Sequence, residues 1–460
     1  MRGAIAAGHP VTAEVGAEVL RRGGNAVDAC VAAGFASWVA ESPLTGPGGG
    51  GFMLVHTPRA TRVLDFFVTV PSGAREEPEE VAIAFDASTT QLFRAGKGTC
   101  AVPGNGAGLE EAHRAYGRLA WRDVVLPAAE LARSGVDVTQ GQAFLHTILA
   151  PVLSATPAAG LGTGERLVWD DLATTLERIA RHGAAAVNRG ALARAITRHV
   201  PSITLADLAA YRPIWRRPVR APYRSATFAS NPPPSSGGVL IGYGLRLLEQ
   251  PGRLGSRASV ERLVRTMEAQ ARARERRLTR KLVEVGGTTH VSVVDGNGNA
   301  ASLSASTGGG GSGVVVPGTG IHLNNMLGEY DLMVGEPRPG RRLTSMMAPS
   351  VVLADRTPRL VLGSAGSSRL RGAIMQVVVN VLAHRLGVAD AIDRPRVHLE
   401  EGRLHLEPGL EAPPGSWEVV PWRHRNLYFG GVAAVETLAD GTLAAAGDPR
   451  RGGAGVVVNP

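Results

Sequence analysis

The chain has 460 residues, of which 44% are hydrophobic and 19% charged, an ordinary composition for a soluble globular enzyme with a large core. Two cysteines, Cys30 and Cys100, allow at most one disulfide, so a reducing compartment is the simpler expectation. The formal charge of +9 is carried almost entirely by arginine, because only Lys97 and Lys281 are lysines.

The N-terminal segment shows no pattern of a secretion signal. No charged region followed by an apolar core and a cleavage site opens the chain. The apolar run from Ala29 to Ala40 is too short to cross a bilayer. The sequence therefore predicts a cytoplasmic protein that does not contact a membrane.

The first half of the chain is predicted to be mainly helical. Residues 11–40 carry apolar side chains at helical spacing on both sides of a Gly-Gly-Asn break, which predicts two helices. A glycine-rich loop then leads into a strand within residues 42–55, and residues 62–70 predict a second strand. Further helices are predicted within 105–195, at 205–211 and directly after the Pro-rich turn at 231–238.

An arginine-rich stretch at residues 253–280 predicts a basic helix. Such a helix could contact nucleic acid, but this one has no aromatic side chain for stacking on bases and matches no known nucleic-acid module. A solvated helix, or one that binds an acidic protein surface, is therefore favoured. We expect no nucleic-acid partner.

Alternating strands dominate the chain after residue 288. In the stretch THVSVVD, His290, Ser292 and Val294 should face one side of a strand and the residues between them the other. Further strand patterns follow, with one helix near residues 371–385. The mixture predicts two sheets covered by helices. The strand is preceded by Gly286 and Gly287, which have no side chains, and a strand start rarely needs this sequence.

A series of short motifs suggests a reason for the two glycines before this strand. They include RRGGNAVDA (21–29), GPGGGGFMLV (46–55), PPPSSGG (232–238), TTHVSVVDGNGNA (288–300), GTGIHLNNM (318–326), PGRRLTSMMAPSVV (339–352) and LGSAGSSR (362–369). In their kind and order they resemble the γ-glutamyltransferase family, a branch of the N-terminal nucleophile hydrolases. The resemblance implies an α+β fold, a four-layer αββα sandwich, in which residues 1–287 and 288–460 form one interleaved domain.

The resemblance implies that Thr288 is the nucleophile. In the family the first threonine of the TTH motif cuts the precursor before itself. Here the cut would fall between Gly287 and Thr288 and leave partner fragments of 287 and 173 residues. The two glycines let the backbone adopt strained geometry without a Cβ penalty. The cut frees the α-amine of Thr288, whose reference pKa of ~7.7–8 suits it to act as base for its own hydroxyl.

The resemblance also implies the parts that would support this nucleophile. Backbone N–H groups of Gly366 and Ser367 match the family's oxyanion-binding turn. Ser306 matches a threonine that bonds the nucleophile. Thr289 and His290 are predicted to be structural.

For the substrate, Thr344 and Ser345 match paired serines near the substrate carboxylate. Glu329 matches an acidic residue that holds the substrate α-amine. A solvated loop carboxylate is the other reading of Glu329.

Two positions depart from the family's pattern. Phe67 stands where an arginine grips the glutamyl α-carboxylate, and Gly308 where an asparagine contacts the same group. A buried carboxylate without its partner costs several kcal/mol, so we do not expect glutathione to be the substrate. Arg341, Arg342 or Arg369 could supply a replacement cation.

The leading hypothesis is a self-cleaving threonine hydrolase or acyltransferase for a small molecule in specialised, antibiotic-type metabolism. Family analogy leaves other reactions open: carbon–carbon cleavage in an alkylproline-type pathway, hydrolysis of a glutaryl-amide or cephalosporin-type amide, and true γ-glutamyl transfer. An inactive protein that binds partners through its basic helix is the competing class. No metal-ligand spacing or dinucleotide fingerprint occurs, so no metal or cofactor is expected. The sequence leaves a homo-oligomer open.

Overall fold

We describe the protein from a computed structural model, which covers residues 2–84, 90–275, 287–329 and 338–459. The proposed contribution of Gly286, and the end of the basic stretch after residue 275, lie outside the described residues. In the described chain, no helix is both long and apolar enough to pass through a membrane. Cys30 and Cys100 are both buried and not bonded to each other.

The helices fall where the periodicity predicts them in the first half, with a smaller set near the C-terminus. Their bounds are α1 Pro10–Arg21, α2 Ala26–Ala40, α3 Asn105–Tyr116, α4 Trp121–Ser134, α5 Gln140–Ile148, α6 Ala150–Leu153, α7 Asp170–His182, α8 Ala185–Asn188, α9 Gly190–His199, α10 Leu205–Ala210, α11 Gly237–Leu247, α12 Arg257–Glu275, α13 Arg369–Leu382 and α14 Val388–Asp393. Asn25 caps α2 and forms a capping box with Asp28, which explains the break between the first two helices.

The first large sheet has seven antiparallel strands in the order β22-β1-β11-β12-β2-β3-β8. Their bounds are β1 Gly3–Ala7, β2 Gly50–His56, β3 Thr61–Phe66, β8 Ile214–Arg216, β11 Gly287–Asp295, β12 Ala300–Gly308 and β22 Ala454–Val458. Strand β11, which carries the predicted nucleophile, therefore lies in the interior of the sheet.

The second large sheet has six strands in the order β21-β20-β16-β15-β10-β9. Their bounds are β9 Val219–Tyr223, β10 Ala226–Ser230, β15 Ser350–Ala354, β16 Thr357–Ala365, β20 Gly431–Thr437 and β21 Leu443–Gly447. Smaller ladders join β4 Glu79–Ala84 to β5 Thr90–Ala95, β6 Val136–Asp137 to β7 Arg166–Leu167, and β13 Val315–Val316 to β14 Ile321–His322, and combine β17 Val397–Glu400, β18 Arg403–Leu406 and β19 Glu418–Pro421.

The two large sheets pack face to face, with helices against their outer faces. Val294 packs between the sheets with Val351 and Val435 of the second sheet. Val291 and Val293 instead join the apolar core formed with α1, α2, α4 and α7. The predicted alternation of side chains along β11 is confirmed. A separate apolar core lies between the second sheet and α11, α12 and α13.

The structure differs from the sequence prediction in several elements. Strand β1 was not predicted, because its alanine-rich sequence carries one β-branched side chain, yet it pairs with both β11 and β22. The second predicted strand ends at Phe66, where the backbone turns and the N–H of Phe67 donates to Asp65. The basic helix α12 is not solvated all round, since Val260 and Val264 are buried on its inner face.

Candidate active site

Thr288 lies at the start of β11 and is 4% exposed. The ladder with β12 is irregular there: Gly287 pairs with Gly308, whereas Thr289 pairs with Ala305, so the register shifts across Thr288. A bulge re-aims a side chain and interrupts the ladder locally. The bond between Gly287 and Thr288 is therefore held in irregular backbone within an otherwise regular sheet.

Ser306, on β12, contacts the bond that the predicted self-cleavage would break. Its hydroxyl donates a hydrogen bond to the carbonyl oxygen of Gly287 and accepts one from the N–H of Gly308 at 2.8 Å. A donor on that oxygen stabilises the negative charge that develops when a nucleophile attacks the carbonyl carbon. Ser306 thus bonds the carbonyl of the predicted cleavage site.

The turn at Gly366 and Ser367 follows β16 and precedes α13. Gly366 has φ of 119°, and a Cβ on it would lie 2.8 Å from the Cα of Gly430, so only glycine fits. Ser367 has φ of 55°, an unusual value for a residue with a side chain. Neither backbone N–H donates to an acceptor in the described residues. Two open N–H groups at a helix N-terminus suit binding of an oxyanion.

A small pocket brings the predicted site residues together. It has about 30 Å³ of open volume, room for roughly one water molecule. Its walls are Phe67, Thr288, Ser306, Met326, Glu329, Ser345, Met346, Met347, Ser367 and Leu370. Gly308 lies beside it, because a Cβ there would be 2.9 Å from an oxygen of Glu329. Thr344 and Gly366 are not among the lining residues.

Half of the residues that line this pocket are apolar, and the others are Glu329 and four residues with hydroxyl groups. Sequence reasoning missed Met326, Met346, Met347 and Leu370, because an apolar side chain carries no chemical signal of its own. Phe67 is 1% exposed and stacks on Phe52 with ring centroids 5.4 Å apart. Glu329 is buried, so the alternative of a solvated loop carboxylate is wrong.

The arginines considered as replacements for the family's arginine do not line the pocket. Arg342 donates to the carbonyl oxygen of Phe67 at 2.6 Å and to the Tyr211 hydroxyl at 2.7 Å. Arg369 lies over the Tyr428 ring, 4.6 Å from its centroid. Arg341 is exposed. No lysine or arginine among the described residues therefore supplies a cation to the pocket wall.

Glu41 lies behind the predicted nucleophile and was not itself predicted. It follows α2, is 4% exposed, and accepts hydrogen bonds from Thr289 and, at 2.9 Å, from Thr12. Burial raises the pKa of Glu41 to about 7, although both hydrogen bonds and the charge of Arg451 oppose the shift. Glu41 thus links β11 to α1 and α2.

His290 has a structural environment, as the sequence suggested. Its ring nitrogens lie 2.8 Å from the Ser304 hydroxyl and 2.9 Å from the Ser292 hydroxyl. Burial lowers the pKa of His290 to about 3, so the ring is neutral at physiological pH. The ring fills the space above Gly363 of the second sheet, where a Cβ would lie 2.3 Å from it.

The chain is similar to known proteins along nearly its whole length. The family model described as Gamma-glutamyltranspeptidase matches residues 12–283 and 279–458. The chain is 32% identical to the Acylase ACY 1 proenzyme of Pseudomonas sp. (strain SE83), covering 100% of this chain and 94% of that protein. It is 30% identical to the Glutathione hydrolase proenzyme of Pseudomonas aeruginosa, covering 100% and 95%. The crystal structure of cephalosporin acylase from Bacillus halodurans shares the fold, with a TM-score of 0.85 at 23% identity over 100% of this chain and 96% of that one.

Proposed function

The chain belongs to the gamma-glutamyltranspeptidase family of N-terminal nucleophile hydrolases, and on that premise we propose that it cuts itself before Thr288 and forms an acyl-enzyme on that residue. The observation that carries the proposal is the hydrogen bond from the Ser306 hydroxyl to the carbonyl oxygen of Gly287. That hydrogen bond polarises the carbonyl of Gly287, which directly precedes Thr288, the residue that would become the new N-terminus. We also interpret the helices outside the two packed sheets as the outer layers of a four-layer αββα sandwich.

Self-cleavage would proceed as an N-to-O acyl shift. The Thr288 hydroxyl oxygen attacks the Gly287 carbonyl carbon, the C–N bond breaks, and the hydroxyl proton passes to the nitrogen. Water then opens the ester, which leaves a carboxylate on Gly287 and a free α-amine on Thr288. In the uncut chain Gly287 pairs with Gly308 beside the pocket. Release of that pairing would enlarge the small space available for a substrate.

The mature site would transfer an acyl group by the same chemistry. The α-amine of Thr288 accepts the hydroxyl proton while the oxygen attacks the substrate carbonyl. The N–H groups of Gly366 and Ser367 stabilise the oxyanion, with the N-terminus of α13 behind them. The leaving group takes the proton, and water or an amine then releases the acyl group from Thr288.

The pocket wall favours an apolar acyl group over a glutamyl head. Phe67 and the three methionines present apolar surface, and the described lining includes no cation to neutralise an α-carboxylate. Methionine adapts to irregular ligands. We propose amide hydrolysis or acyl transfer on a non-glutamyl substrate in specialised metabolism, in the cytoplasm. True γ-glutamyl transfer is the weaker candidate.

Denaturing electrophoresis and intact-mass measurement test the nucleophile. The purified protein should give two pieces, with the smaller starting at Thr288. Thr288→Ala should stay uncut, whereas Thr289→Ser, which keeps the neighbouring hydroxyl, should be cut. Cutting of Thr288→Ala at the same bond would falsify the assignment.

Matched p-nitroanilides test the acyl group. The phenylacetyl compound should show at least a tenfold higher kcat/KM than the γ-glutamyl compound and should leave a phenylacetyl adduct on the small fragment. Faster turnover of the γ-glutamyl compound would refute the apolar pocket.

A further inference from the structure

A second space, which we call the rear chamber, also borders Thr288. Its volume is about 20 Å³, which is room for roughly one water molecule and too little for part of a substrate. Thr288 is the one residue that lines both the rear chamber and the nucleophile pocket. The rear chamber would therefore act on the reaction through Thr288 and not through contact with a substrate.

Two residues of opposite charge, Glu41 and Arg451, line the rear chamber. Neither forms a direct ion pair with another described residue, and the charge of Arg451 favours the ionised form of Glu41. The Nε and Nη1 atoms of Arg451 are buried and have no acceptor among the described residues. Burial lowers the pKa of Arg451 to about 10, so its guanidinium group is charged at physiological pH.

The other titratable groups that line the rear chamber are neutral or paired. Burial lowers the pKa of His9, and it lowers the pKa of His290 to about 3, so neither ring carries a charge near neutral pH. The carboxylate of Asp448 lies 2.6 Å from Arg396 and 3.2 Å from Arg450, which balance its charge.

Two further charges lie outside the rear chamber. Arg369 is close enough for its charge to lower the pKa of Arg451, and Glu329 lies in the nucleophile pocket with Thr288. Both stay the same in all the variants below.

The proposed cut would create an α-amine at the edge of the rear chamber. Thr289 donates to Glu41, so the carboxylate lies one residue from the new amine, roughly 6–8 Å from its nitrogen by backbone dimensions. A carboxylate at that distance favours the charged ammonium form, and a guanidinium group favours the neutral amine. Glu41 and the amine lose their protons in the same pH range, so they titrate as a pair.

We propose that Glu41 and Arg451 are positioning residues for the base of the reaction, and that their opposite charges set the pH at which the α-amine of Thr288 loses its proton. The inference rests on the proposed cut, which creates that amine. The amine must be uncharged to accept the proton of its own hydroxyl group. The carboxylate of Glu41 raises the pH at which this form appears, and the guanidinium group of Arg451 lowers it.

The sequence allows a direct measurement of this amine. Lys97 and Lys281 both precede the cut, so the small fragment contains no lysine and the α-amine of Thr288 is its only primary amine. Cyanate carbamylates uncharged amines, and the intact mass of the small fragment records the reaction. The rate of carbamylation against pH gives the midpoint at which the amine loses its proton.

The two charges should shift this midpoint in opposite directions. Glu41→Gln should move it to lower pH by about one pH unit, and Arg451→Gln should move it to higher pH by a similar amount, as expected for charges roughly 7 Å from the amine in a partly hydrated site. The double variant should return close to the parent midpoint, because the two changes cancel. The acidic limb of the kcat/KM profile for the phenylacetyl p-nitroanilide, which reports the free enzyme, should follow the same shifts.

The matched controls are Glu14→Gln and Arg21→Gln. These two residues pair with each other at 2.5 Å on the exposed face of α1, so each control removes the same charge at a distance from Thr288. Neither control should move the midpoint.

The outcomes separate this inference from the proposed function. A protein that is cut, but whose midpoint is the same in Glu41→Gln, Arg451→Gln and the parent, overturns the inference and leaves the nucleophile in place. A shift of both variants in one direction also overturns it, because that indicates a general change in structure. If one variant stays uncut, the direction of the other decides. If the parent is cut and neither variant is, the residues are required for the cut itself and the inference is wrong. A parent chain with no new terminus at Thr288 overturns both proposals.

Discussion

Substitution of Glu41 by glutamine tests the buried carboxyl behind the nucleophile. Glu41 accepts hydrogen bonds from Thr12 on α1 and Thr289 on β11, so it joins two layers of the fold. Glutamine keeps the shape and one acceptor oxygen, but it cannot ionise. The two threonine hydroxyls can rotate to pair with either end of the amide.

The magnitude follows from the pKa. Burial raises the pKa of Glu41 from its ordinary 4.5 to about 7. The folded state therefore holds this proton more tightly than the unfolded state does. The resulting stabilisation is complete below about pH 4.5, falls as the pH rises toward 7 and is lost above it. A difference of this size corresponds to roughly 3 kcal/mol.

Denaturant unfolding at pH 5 and pH 8.5 measures this effect. All variants carry Thr288→Ala, so that a single uncut chain unfolds. Glu41→Gln should be nearly neutral at pH 5 and should raise the free energy of unfolding by roughly 2–3 kcal/mol at pH 8.5, relative to the parent at each pH. Glu79→Gln, at an exposed strand position, should show no such pH dependence. An equal effect of Glu41→Gln at both pH values would contradict the reasoning.

Three further substitutions examine the site. Ser306→Ala should slow self-cleavage by about 10²–10³-fold in a gel time course, because the Gly287 carbonyl loses its hydrogen-bond donor. Ser306→Thr keeps a hydroxyl and should be cut at nearly the parent rate, whereas rapid cutting of the alanine variant would exclude a role of Ser306 in self-cleavage. Ser367→Gly should raise the free energy of unfolding by about 0.5–1 kcal/mol, since φ of 55° strains a serine. Its kcat should be unchanged because the backbone N–H remains, and a large fall in kcat would show that the serine side chain takes part in the reaction. Gly363→Ala should lower stability by about 1–3 kcal/mol, because its Cβ would overlap the ring of His290, and unchanged stability would mean that the ring can move away.

Local sequence patterns predicted the parts of the fold that are determined by residues close together in the sequence. The alternation along β11 and the break between α1 and α2 follow from side-chain periodicity and from the cap at Asn25. Strand β1 could not be found in this way, because Gly3–Ala7 becomes a strand only through pairing with two segments that are distant in sequence, β11 and β22. Its β character is a tertiary effect.

In the site, too, some features could be predicted from the sequence and others depend on the packing of distant segments. The motif resemblance selected Thr288, Ser306 and Ser367, and all three line one pocket in the structure. It could not show that Arg342 is committed to the carbonyl of Phe67, nor that Glu41 lies behind the nucleophile. An arginine side chain can reach many acceptors, so the sequence does not show which one it binds. A glutamate at the end of an apolar helix is common, so its position alone does not indicate a role in a site. Only the packing of distant segments decides these contacts.

The arrangement of the strands predicts that the two fragments stay together after the cut. Strand β11 pairs with β1 on one side, and β12 pairs with β2 on the other, so residues from both sides of the Gly287–Thr288 bond alternate across the first sheet. In the second sheet the two fragments meet at one ladder, where β15 pairs with β10. The cut removes one peptide bond near the start of β11, so only the pairing of Gly287 with Gly308 is affected and the rest of these ladders stays in place. The mature protein should therefore elute from a sizing column with both fragments in one peak and separate only in denaturant, because separation exposes the interior of both sheets. Fragments that part in native buffer would show that the cut reorganises the sheets.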